Sequence, residues 1–188
     1  MHRRQQFSVF DSHLDLAHQF WEKLLLPTDT AVDATCGNGH DTLELVKILS
    51  QGKVLSLDIQ KEALEAAQML LSAEEKERVL FYHQSHVEFP EENRVKLIIY
   101  NLGYLPGKNK SITTMTETTL LSVKKALALA TGGVSITCYP GHPEGEKEEK
   151  ALLSLCSTLD PKVFSASYTR WVNRETSPSL IFIQKHIK

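Results

Sequence analysis

The chain has 188 residues, 41% of them hydrophobic and 23% charged, and its 21 Lys+Arg against 23 Asp+Glu leave a formal net charge of −2. A chain of this length hides roughly 70% of its unfolded surface on folding, so one domain spanning 1–188 with one sizeable core is expected. The figures exclude a strongly basic coat for gripping nucleic acid, an apolar span of ~20 residues, and, with three cysteines lacking CxxC spacing, a disulfide scaffold or structural zinc. No apolar stretch follows the arginines of MHRRQQFSVFDS. No secretory signal is therefore expected, residues 1–12 read as an N-terminal extension, and the expected compartment is a reducing cytoplasm.

The first predicted helix starts at Ser12, whose hydroxyl with Asp15 three residues on makes a capping box. Leu14, Ala17, Trp21 and Leu24/Leu25 fall on one face, and Pro27 ends it. A short strand over 30–34 runs into a loop with Gly37 and Gly39, followed by a helix over about 41–49 facing inward with Leu45, Ile48 and Leu49. Then come a strand over 54–58, a helix over 61–72, and strands over 79–83 and 96–100. A helix over about 116–130, a strand over 134–139, a charged helix over about 144–159 and two strands over 163–171 and 179–186 complete the pattern. Parallel strands need crossover helices, whereas a short loop joins antiparallel ones. The pattern predicts a single doubly wound, mostly parallel seven-stranded α/β sheet whose last strand inserts antiparallel.

In such a sheet ligands bind at the carboxyl ends of the strands, beside the first strand-to-helix turn. That turn reads Asp33-Ala34-Thr35-Cys36-Gly37-Asn38-Gly39. Glycines let backbone approach a ligand, and Asp58, followed by Ile59 at the end of the next strand, can accept hydrogen bonds from two ribose hydroxyls. A dinucleotide would need a third glycine where Thr42 stands, and a pyrophosphate would be repelled by Asp33. The same carboxylate suits the cationic amino end of S-adenosylmethionine (SAM). The plain alternative is a tight turn with Asp58 capping the next helix. Cys36 has no partner base nearby in sequence and reads as a small turn residue. Ser85 and His86, after the third strand, are expected beside the adenine. His83 and His86 are too isolated for a metal site, and no metal is expected.

The fourth strand leads into Asn101-Leu102-Gly103-Tyr104-Leu105-Pro106-Gly107, a variant of the (D/N)PPY lip of amine-methylating enzymes. Methyl transfer to nitrogen needs a neutral amine with its lone pair aimed at the methyl. The Asn101 side-chain carbonyl and the Leu102 backbone carbonyl can each accept an amine N–H and leave that lone pair free. Tyr104 can stack on a substrate base. The alternatives are an Asx turn at Asn101 and a rim aromatic at Tyr104. Lys108, Lys110, Ser111, Thr113 and Thr114 form a polar, basic segment expected at the same mouth. His142, in the loop Gly141-His142-Pro143-Glu144, can hold a phosphate or accept the departing proton, or it is an exposed loop histidine.

VDATCGNGHDT (32–42), NLGYLPG (101–107), KSITT (110–114) and GHPEG (141–145) closely resemble the bacterial tRNA 5-aminomethyl-2-thiouridine methyltransferase family, formerly labelled rRNA methylases. The resemblance runs over nearly the whole chain from about residue 13. It implies a class I SAM-dependent fold and methylation of the aminomethyl group at tRNA wobble position 34, giving 5-methylaminomethyl-2-thiouridine. Its cofactor motif falls on Asp33, Gly37, Asn38, Gly39 and Asp58. Its substrate motifs fall on Asn101, Tyr104, Lys110, Ser111, Thr113, His142 and Glu144. Rival readings are methylation of an rRNA base or small-molecule amine, and a non-catalytic nucleotide-binding module. With no appended RNA-binding domain in the sequence, a homodimer is the expected way to cover an anticodon stem-loop. Lys108, Lys110, Lys124, Lys125, Arg170 and Arg174 are the candidate local grip on RNA.

Overall fold

A computed structural model of the chain describes residues 12–92, 94–103 and 113–186. The first helix, α1 (His13–Leu24), starts as expected. The Ser12 hydroxyl accepts the Asp15 N–H at 3.2 Å and the Asp15 carboxylate accepts the Ser12 N–H at 3.3 Å. Such a cap stabilises a helix by about 1 kcal/mol. Then follow β1 (Thr30–Asp33), α2 (His40–Ile48), β2 (Lys53–Asp58), α3 (Lys61–Leu70), α4 (Ala73–Lys76) and β3 (Val79–His83). The second half holds β4 (Val95–Asn101), α5 (Thr116–Leu129), β5 (Gly133–Cys138), α6 (Pro143–Ser157), β6 (Phe164–Thr169) and β7 (Ser179–Lys185).

The seven strands form one sheet in the order β3-β2-β1-β4-β5-β7-β6. β7 runs antiparallel to both β5 and β6, and the other neighbours pair parallel. The doubly wound α/β fold with an antiparallel last strand is thus the one expected. Side chains alternate across it. Ala31, Leu97 and Ile99 pack under Ala17, Trp21, Leu45 and Leu49 on the α1/α2 face. Val32, Ile98, Tyr100 and Ile136 pack against Val123, Ala126 and Leu152 on the α5/α6 face.

Three details depart from the sequence reading. α4 is a separate turn, because Ser72 and Glu75 form a second capping box that restarts the helix after Leu71. α2 begins one residue early, at His40, so Thr42, Leu45, Val46 and Leu49 make the buried i, i+3, i+4, i+7 stripe and Ile48 lies to its side. β6 ends at Thr169, short of Trp171. The order 5-7-6 has one consequence for function. β6 runs parallel to β5, so the β6–β7 turn reaches the same sheet edge as the loops after β1, β4 and β5. A Cβ built on Gly141 would stand 3.5 Å from the Thr176 carbonyl of that turn.

Candidate active site

After Asp33 the chain keeps two sheet-like bonds before it turns, Ala34 N–H to the Ile99 carbonyl and Cys36 N–H to the Leu57 carbonyl, each 2.9 Å. The turn closes at Gly39, where φ is +82° and a Cβ would stand 2.5 Å from the Ala67 Cβ of α3. Only glycine lets α2 start this close to α3. Cys36 lies buried under the loop, its thiol pushed up to about 12 chiefly by burial and secondarily by Asp33, which agrees with a packing role.

Asp33 was expected to face the cationic amino end of SAM. It lies beneath the loop, 0% exposed. The Thr42 hydroxyl donates to one carboxylate oxygen at 2.6 Å and the Thr35 N–H to the other at 3.2 Å. With its single proton given to Asp33, Thr42 accepts from Ser56 at 2.8 Å. The residue that breaks the dinucleotide glycine pattern is therefore a buried relay that holds the loop by its floor, with Asp33 bonded to both Thr42 and Thr35.

Burial, then the neighbouring Asp41 charge, push the Asp33 carboxyl up to about 7 from 3.8, against the two hydrogen bonds. A carboxyl raised on folding favours the protonated fold. Its contribution to stability is largest below about pH 4 and is lost as pH rises toward 7. The loss is on the order of 4 kcal/mol for a shift of about three units. Asp33→Asn is expected to flatten this part of the profile. Urea unfolding of both proteins from about pH 4 to 8 checks it, and parallel profiles would contradict it.

At the end of β2 the Asp58 carboxylate accepts the Gly37 N–H at 2.9 Å and the Gln60 N–H at 2.8 Å. One group thus clamps the glycine loop and presents its remaining lone pairs at the strand end. Burial raises its pKa, against the hydrogen bonds from Gln60 and Gly37. Ile59 beside it is 56% exposed, an apolar surface at the rim with Thr35, Gly37 and Asn38 partly exposed next to it. An acceptor for paired hydroxyls, an apolar platform and a glycine turn held open fit the ribose, adenine and amino-acid ends of SAM. Ser85 and His86 follow β3 at the same edge, where the Gln84 N–H donates to the Asp58 carbonyl at 3.0 Å. The Ser85 hydroxyl accepts the Val87 N–H at 3.3 Å. His86 is turned inward against Tyr100, with ring centroids 6.0 Å apart, and burial lowers its pKa to about 4. It is a neutral core-edge histidine.

Asn101 ends β4 beside the loop. Its N–H donates to the Thr35 hydroxyl at 2.6 Å, and its side-chain amide donates to Asp41 in the first turn of α2 at 2.9 Å. The second Asp41 oxygen faces the His18 ring of α1 at 3.2 Å. The ring of Tyr139, after β5, meets that of His13 edge-on at 5.9 Å. The two histidines of α1, Asp41 and Tyr139 did not enter the sequence reading as site residues. The signal for Asp41 was its place two residues after Gly39.

The remaining expected residues divide. Leu102 has its side chain in the core and its N–H bonded to the Thr137 carbonyl at 3.0 Å, so an amine can meet only its backbone carbonyl. Gly103 has φ +113°, a conformation other residues resist. The Thr114 hydroxyl accepts the Gly103 N–H at 2.9 Å and donates to the buried Glu148 at 2.8 Å, so it ties Gly103 to α6. Thr113 has a buried hydroxyl with no hydrogen-bond partner among the described residues. Glu144 accepts both the N–H and the hydroxyl of Thr116, at 2.9 and 2.8 Å, and so caps α5 from α6. His142 is the N-cap of α6, its Nδ1 accepting the Gly145 N–H at 3.1 Å, which spends the nitrogen a proton acceptor would use. Tyr104, Lys108, Lys110 and Ser111 lie outside the described residues. Lys125 donates to the Val87 carbonyl at 2.9 Å. Among the described residues no cluster of three His, Cys, Asp or Glu could hold a metal ion.

The strand order, the glycine turn after β1 and the acid ending β2 define a class I SAM-dependent methyltransferase. Residues 54–185 match the family described as "Putative rRNA methylase", and the chain belongs to it. It is 38% identical over 187 residues, 91% of this chain and 68% of the other, to an Arabidopsis thaliana protein named tRNA (mnm(5)s(2)U34)-methyltransferase, chloroplastic. Among solved structures it is similar to a "putative rRNA-methylase" from Clostridium thermocellum, at 31% identity and TM-score 0.90, covering 95% of this chain and 100% of that one. It also resembles a "putative methyltransferase" from Streptococcus mutans in complex with SAH, at 30% identity and TM-score 0.85 with the same coverage.

Proposed function

We propose that the protein methylates the aminomethyl group of 5-aminomethyl-2-thiouridine at position 34 of tRNA, using SAM. The reading is carried by Asn101. It sits at the end of β4 beside the glycine loop, fixed by Thr35 and Asp41, in a chain 38% identical to a relative named for this product. When bound, SAM supplies an electrophilic methyl group on sulfur. The chain's work is positional. Asp58 and the turn at Gly37 and Gly39 hold the cofactor, with Asn38 and Ile59 at its rim. Asn101 Oδ1 and the Leu102 carbonyl each accept an amine hydrogen, which turns the nitrogen lone pair toward the methyl. Tyr104 stacks on the base, and Thr113, Lys108, Lys110 and Ser111 meet the nucleotide around it.

A wobble base presented alone in a loop needs a shaped pocket more than a basic coat. That accords with the net charge of −2. The β6–β7 turn, with Arg170 and with Arg174 stacked 5.2 Å from the Trp171 ring, lies at the same edge and is the proposed grip on the stem-loop. Such a grip makes few phosphate contacts, so binding should weaken only modestly with salt. The working form is proposed to be a homodimer in the cytoplasm. No helix among the described residues is long and apolar enough to cross a membrane.

Labelled-methyl transfer tests the proposal. Incorporation is expected into tRNA carrying the unmethylated aminomethyl base, and not into the same tRNA lacking that group. Equal incorporation into rRNA fragments or free amines would favour the rival substrates.

A further inference from the structure

The Asn101 side chain works only in one of its two orientations. With Oδ1 toward the substrate it accepts an amine hydrogen; flipped by 180°, it offers two N–H donors that clash with those of the amine. Four observations bear on which way it faces. The Asn101 Nδ2 lies 2.9 Å from Asp41 Oδ2. A carboxylate only accepts, so the amide nitrogen must be the atom facing it, which removes the usual ambiguity of an amide. Asp41 is itself held. His18 Nε2 stands 3.2 Å from its other oxygen, and its place in the first turn of α2 favours a negative charge. The His18 ring is braced in turn against Trp21, 4.7 Å between centroids, and the His18 and Asp41 side chains are largely shielded, 26% and 12% exposed.

We infer that Asp41, clamped by His18, is a positioning residue that sets the polarity of the amine site by holding the Asn101 amide with its carbonyl toward the substrate. The inference rests on the aminomethyl-transfer reading for its substrate but not for its geometry. α1, which touches neither the glycine loop motif nor the Asn-Leu-Gly-Tyr segment in sequence, becomes part of the machinery through His18. The GHD run after the loop gains a reason for its acid. An acid in the first turn of α2 also sets the amide that ends β4.

Two experiments test it, and each can fail alone. In the first, the Asn101 side-chain amide signals, assigned by their loss in Asn101→Ala, are followed by NMR in the wild type and in Asp41→Ala. A downfield, slowly exchanging amide proton is expected in the wild type and absent from the variant. An amide that looks the same in both overturns the inference whatever the substrate is. In the second, turnover on aminomethyl-thiouridine tRNA is compared across a swap. Asp41→Ala should lose about a hundredfold in kcat with SAM affinity and KM within about twofold, the signature of misorientation. Asn101→Asp alone sets two carboxylates face to face and should be at least as poor. The double variant Asp41→Asn/Asn101→Asp restores a donor against an acceptor and should recover at least tenfold over Asn101→Asp. A double variant no better than Asn101→Asp overturns the inference. An inactive wild type with the NMR result intact overturns the substrate reading and leaves the positioning role standing.

Discussion

Asn101→Ala should lower kcat by roughly 10²–10³-fold, the cost of deleting one preorganised hydrogen-bonding group from a reacting centre, while SAM affinity changes little. The backbone of Asn101 would still donate to the Thr35 hydroxyl, so the loop keeps its anchor. What disappears is the carbonyl that receives an amine hydrogen and the amide N–H that donates to Asp41 at 2.9 Å. Calorimetric SAM binding alongside single-turnover methylation separates the two effects. A large loss of SAM affinity would mean that Asn101 belongs to the cofactor pocket.

Asp58→Ala should show the opposite ordering. Two charge-assisted hydrogen bonds to ribose hydroxyls account for about 3 kcal/mol, so SAM affinity should fall by about a hundredfold. The loss of the Gly37 and Gln60 partners at 2.9 and 2.8 Å loosens the loop and adds to it. At saturating SAM, turnover should recover most of its wild-type value. A variant with unchanged SAM affinity would assign Asp58 to helix capping alone. Equal loss of affinity in the Asn101 and Asp58 variants would refute the division of roles.

The alternation of β-branched runs with amphipathic helices carried the strand order, because a doubly wound sheet is specified by local periodicity and crossover length. The glycine turn and the acid at the end of β2 were legible for a similar reason, since each lies at a strand end whose place follows from the fold. Burial was not legible. Asp33 reads in sequence like an open carboxylate, and only the packing of Thr42 and Ser56 beneath the loop shows that it is enclosed. His142 and Glu144 sit in a Gly/Pro loop that looks exposed, yet the former caps α6 and the latter ties α6 to α5. Those roles depend on contacts that no local pattern encodes. The Asp41–Asn101 pair spans 60 positions and the His18–Asp41 pair 23, so the polar wall of the site forms only when α1, α2 and β4 come together.

The most direct test of the central claim is mass spectrometry of tRNA nucleosides after incubation with the purified protein and SAM, using tRNA from cells that lack this methylation. Conversion of 5-aminomethyl-2-thiouridine to 5-methylaminomethyl-2-thiouridine at position 34, dependent on SAM and abolished in Asn101→Ala, is the predicted result. An unchanged nucleoside profile, or a methyl group on any other base, would contradict it.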